Sequence, residues 1–93
     1  MDYSQLSDDE INNMVGRVVS QRFRTDYCND PGAAWPIIQR NGISLAKYEH
    51  GMWLASQMRT GLTVLNGRLT ETHPNPLRAA MIVFLMMQES QHA

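Results

Sequence analysis

Thr72, His73, Asn75 and Arg78 crowd the start of an apolar run near the end of the chain. A helix beginning there offers free backbone N–H groups and the positive end of its dipole, a combination that holds anions. Arg78 falls in the first turn and adds a planar, charged fork suited to carboxylate or phosphate. Trp35 and Trp53, with Tyr27 and Tyr48, supply flat faces on which a base can stack. Trp35, Trp53, Thr72, His73, Asn75 and Arg78 are therefore the expected contacts of a small anionic, nucleotide-like ligand. The same residues have a purely structural reading, in which Asn75 caps its own helix and the tryptophans fill the core.

Other chemistry has little to build on. His50, His73 and His92 are far apart, and none stands at zinc-ligand spacing from Cys28, so no metal is expected. Nucleophilic catalysis would need Cys28 or a serine beside a base, and a single cysteine in a small domain is usually inert. Paired carboxylates occur only at Asp8, Asp9 and Glu10, where they complement a helix dipole. No phosphate-binding glycine loop has a recognised spacing. No catalytic residue and no cofactor are expected, and the chain reads as a binding protein and not an enzyme.

The elements that must position these residues are marked by caps and periodicity. Ser7 and Glu10 have capping-box spacing, flanked by Leu6 and Ile11 at the staple positions. Ile11, Met14, Val15, Val18 and Val19 form one apolar stripe behind that start. Asp30-Pro31 opens a second helical segment, which Pro36 is expected to break into a turn and a short helix ending at Asn41-Gly42. Ile43 and Leu45, a turn at Glu49-His50-Gly51, then Trp53 and Ala55 read as a β-hairpin. A second hairpin is expected from Leu62–Leu65 through Asn66-Gly67 to Arg68–Thr70. Asn75 and Pro76 then start a final helix that is apolar nearly all round from Met81 to Met87, the pattern of a helix buried on most sides. The expected fold is α+β: a small antiparallel meander with the first and last helices packed on one face.

Ninety-three residues make one domain, spanning 1–93, with a modest core. The net charge of −1 argues against a nucleic-acid polymer as partner. The longest apolar run is far short of a membrane span. One cysteine and an acidic, polar start suggest a soluble protein of a reducing cytoplasm. The methionine-rich last helix carries more apolar surface than one small sheet covers, which predicts a homo-oligomer.

The order of these pieces resembles a family. Leu6-Ser7-Asp8 with Ile11-Asn12 and Val15 is followed by Trp35-Pro36-Ile37-Ile38, Gly42-Ile43-Ser44-Leu45 and Trp53-Leu54-Ala55, then by Pro76-Leu77-Arg78-Ala79-Ala80-Met81. This series is similar to the NinX-like family of small phage and prophage proteins of lambda-like phages. Trp35, where members often carry glycine, and Ile82, where many carry arginine, depart from its pattern. The resemblance implies an accessory gene product acting in the bacterial host cytoplasm, and implies no reaction. The expected role is to antagonise a host process, by sequestering a small nucleotide-like ligand as an anti-defence sponge. The alternatives are a protein–protein module that inhibits a host protein and, least favoured, a small hydrolase.

Overall fold

A computed structural model describes residues 2–21, 24–58 and 68–91. A short 3-10 turn at Tyr3–Gln5 leads into helix α1 (Asp8–Val18). Helix α2 (Pro31–Asn41) follows, then strands β1 (Ser44–Lys47), β2 (Trp53–Met58) and β3 (Arg68–His73), and finally helix α3 (Pro76–Gln91). The strands form an antiparallel meander in the order β1-β2-β3, with Leu45 opposite Ala55 and Ala55 opposite Glu71. The expected α+β architecture is present, with helices flanking the sheet.

Helix α1 starts where its capping box puts it. Ser7 Oγ accepts from the Glu10 N–H at 3.1 Å, and Glu10 Oε1 accepts from the Ser7 N–H at 2.9 Å. Replacing Ser7 with Ala is expected to cost about 1 kcal/mol, the usual range for an N-cap, read as a lowered urea midpoint at unchanged m-value. Ile11 and Val15 of the stripe are fully buried, but Val18 and Val19 are exposed at 43% and 38%. The stripe thus extends beyond the part of α1 that is buried.

The expected break at Pro36 is absent, and α2 is one helix. Asp30 caps it through Gly32, and Gly42 closes it in the left-handed conformation at φ 65°. Pro36 removes only the hydrogen bond that would reach the Gly32 carbonyl. Ala34, Ile37 and Ile38 lie on both sides of it and are all buried. They share one face only if the helix runs through, so packing on α3 outweighs the local penalty.

The first hairpin turns at Glu49–Gly51, where His50 and Gly51 both take positive φ and the Tyr48 N–H reaches the Met52 carbonyl at 2.9 Å. Leu62–Leu65 and the Asn66-Gly67 turn lie outside the described residues. The strand expected to end at Thr70 continues to His73 and pairs with β2 along its whole length.

Helix α3 is the centre of the molecule. It packs on β2 and β3 and also on α1 and α2. Ala79 through Leu85 are consecutively buried, which explains a run with no polar face. The first helix packs chiefly on α3. The apolar surplus of α3, the sequence's reason for an oligomer, is covered within one chain.

Candidate functional site

The start of α3 has its donors satisfied from within. Asn75 Oδ1 accepts from the Leu77 N–H at 3.0 Å and the Arg78 N–H at 3.4 Å, and the Asn75 carbonyl takes the Ala79 N–H. Pro76 has no N–H to offer. The Asn75 amide nitrogen donates to the Cys28 carbonyl at 2.6 Å and to Asn29 Oδ1 at 3.1 Å. His73 Nδ1 accepts from the Asn75 N–H at 2.9 Å. Burial, with the Arg78 charge nearby, lowers the His73 pKa.

Arg78 is 6% exposed and is held by the N-terminal segment. Its Nη1 donates to Asp8 Oδ1 at 2.7 Å, and its Nη2 donates to the Leu6 carbonyl at 2.6 Å and the Ser4 carbonyl at 3.4 Å. This fork pins the chain ahead of α1 onto α3. The Arg78 hydrogen bond lowers the Asp8 pKa more than burial raises it. Asp8 continues the network through Asn29, and Asn29 reaches Asp26. Asp26 also accepts from Asn12 Nδ2 at 2.9 Å, and Asn12 Oδ1 accepts from the Cys28 N–H.

Of the other predicted contacts, Trp53 stands beside His73 and the remaining two lie elsewhere. Thr72 stands opposite Leu54, on the sheet face away from His73, since successive residues alternate. Trp53 is the register partner of His73, and Lys47 Nζ lies 5.9 Å from its ring centroid. Trp35 is 56% exposed on the outer face of α2. Of the six predicted contacts, His73, Asn75 and Arg78 cluster at the start of α3 with Trp53 beside His73, and the hydrogen bonds of Asn75 and Arg78 tie distant segments of the chain together.

Cys28 is fully buried, and burial pushes its thiol up to about 12. Thiolate is the reactive form, so native protein at neutral pH is expected to resist iodoacetamide and to alkylate only as urea unfolds it. Rapid labelling without denaturant would contradict that placement. Among the described residues, no three His, Cys, Asp or Glu side chains are grouped to hold a metal. None of their helices is long and apolar enough to cross a membrane.

An open cleft lies elsewhere, between α1 and the segment 24–27. It has a volume of about 620 Å³, within the range of ligand pockets. One polar face of α1, formed by Asp9, Asn12, Asn13, Gly16 and Arg17, makes its floor, with Arg24, Asp26 and Tyr27 opposite. The side chains of Arg17 and Arg24 have no ion pair or hydrogen bond among the described residues. Asp9 stands about 12 Å from Arg17 along the helix, at 1.5 Å per residue. Along α1 the cleft therefore runs from Asp9 and Asn13 at one end to Arg17 at the other, with Arg24 and Asp26 on the facing segment. Tyr27 is 3% exposed, and its hydroxyl has no hydrogen-bond partner among the described residues.

Gly16 is the sequence signal that marks this place. A glycine inside a helix costs about 1 kcal/mol against alanine, yet an added Cβ would meet nothing within 4 Å. Packing does not require the glycine; it leaves the cleft floor bare.

The family described as "Bacteriophage P22, NinX" matches residues 2–88. Comparisons with curated proteins and with solved structures return no match.

Proposed function

The chain belongs to the NinX family of phage proteins, and from that we propose that it is a non-catalytic accessory protein that captures a small anionic, nucleotide-like ligand in the α1 cleft. Capture withdraws the ligand from a process in the host cytoplasm, and stoichiometric binding needs no active site. The observation that carries this reading is the cleft along α1, with Asp9 and Asn13 toward one end, Arg17 toward the other, and Arg24 on the facing segment. Arg24 suits a phosphate as a planar, charged donor, and Arg17 at the edge of the cleft adds positive potential. Asp9 and Asn13 suit the amino and ring positions of a base at the other end. Stacking on Trp35 and Trp53 plays no part, since neither lines the cleft.

Titration calorimetry against mono- and dinucleotides tests the proposal. Arg24→Ala is expected to weaken binding by about 1.5–3 kcal/mol, the range for a hydrogen bond to a charged group. Gly16→Leu is expected to raise helix stability while its side chain fills the cleft and abolishes binding. A panel in which nothing binds at about 1 mM, roughly −4 kcal/mol, rejects the proposal. Unchanged binding by Gly16→Leu places the ligand elsewhere.

A further inference from the structure

A second concavity lies on the next face of α1. It has a volume of about 680 Å³ and runs between α1 and the end of α3, with Leu6, Met14, Val18 and Leu85 as its apolar lining. Glu10, Asn13 and Arg17 stand on its α1 rim, and Tyr3, Gln88 and Glu89 line the opposite side. Val18 is 43% exposed there. An open apolar groove with a polar rim is the form of a docking surface.

We propose that this groove is closed by a second copy of the chain, packed antiparallel through α1 about a two-fold axis. The α1 rim is self-complementary. Glu10 and Arg17 lie about 10 Å apart along the helix, each one turn from a point between Asn13 and Met14. If two α1 helices cross antiparallel at that point, Glu10 faces Arg17 of the second copy, and Arg17 faces Glu10 of the second copy. A two-fold interface requires this reciprocity. Met14 and Val18 meet across the axis and leave water. The Glu10 carboxylate is free to make the pair while it caps α1, since only its Oε1 is used by Ser7. The near-neutral net charge of −1 does not oppose self-association. The dimer forms through α1 and the groove, and not through the core-facing methionines of α3.

Charge-swapped variants test the interface. Sedimentation velocity at concentrations on the order of 100 µM is expected to show wild-type dimer. Arg17→Glu and Glu10→Arg alone each meet like charge across the axis and should sediment as monomers. Mixed one-to-one, they restore both pairs and should return to dimer, a recovery that mere misfolding does not produce. Val18→Arg, at a half-exposed position, should be monomeric with wild-type circular dichroism. Arg24→Ala, outside the groove, should remain dimeric. Wild type found only as monomer overturns the proposal. So does a folded mixture that stays monomeric, or dimer persisting in Arg17→Glu or Val18→Arg. If Glu10→Arg unfolds through loss of its cap, those last two variants still decide.

Discussion

Arg78→Met lowers the stability of the protein by about 2–3 kcal/mol, the scale of hydrogen bonds to a charged group. Methionine keeps most of the aliphatic volume and removes the fork that holds Asp8 Oδ1 and the Leu6 and Ser4 carbonyls. Domains of this size have only about 5–15 kcal/mol in total, so the loss is large in a urea or thermal melt. Lysine at this place should recover only part of it, because a point charge cannot span partners on two sides. The Asp8 pKa is lowered by the Arg78 hydrogen bond. The pair therefore stabilises the fold above the unfolded Asp value, and that contribution fades as pH falls through the lower folded one. Asp8→Asn should flatten this part of the acid limb. A urea midpoint unmoved by Arg78→Met would contradict the structural role. Nucleotide binding lost in a fully stable Arg78 variant would return the residue to a ligand site.

Asn75→Ala should cost a similar amount for a different reason. It removes the cap on the Leu77 and Arg78 N–H groups, a term of about 0.5–2 kcal/mol. It also deprives the Cys28 carbonyl of its amide donor, and an unsatisfied buried group costs about 1–3 kcal/mol. Asn75→Ser separates the terms, since serine caps a helix but is too short to reach Cys28. Equilibrium unfolding should place serine between wild type and alanine. Equal losses for alanine and serine would mean that capping contributes nothing measurable.

Features set by neighbours in sequence are the ones that sequence reasoning recovers. The Ser7–Glu10 box, the Asn75-Pro76 start and the Glu49–Gly51 turn each depend on residues within a few positions. The buried character of α3 follows from its lack of a polar face. Pro36 shows the opposite case: the local rule for proline holds, but burial of Ala34, Ile37 and Ile38 against α3 overrides it. Arg78 looks available in the sequence because its partner Asp8 stands seventy positions earlier and arrives only when α1 folds over α3. Asn75 likewise reaches Cys28 across forty-seven positions. The cleft was hidden for the same reason. Arg17, in the last turn of α1, and Arg24, seven positions later, share a cleft only once the segment 24–27 folds back along α1. Gly16, an unexplained cost in an otherwise well-formed helix, was the one local sign of it.

Native mass spectrometry of the protein purified from phage-infected cells tests the central claim most directly. Wild-type protein is predicted to carry an anionic small molecule of nucleotide mass, and Gly16→Leu and Arg24→Ala, folded alike, are predicted to carry little or none. Bare wild-type protein under infection, or the same adduct on all three, would contradict ligand capture in the cleft, and inhibition of a host protein would then become the leading account.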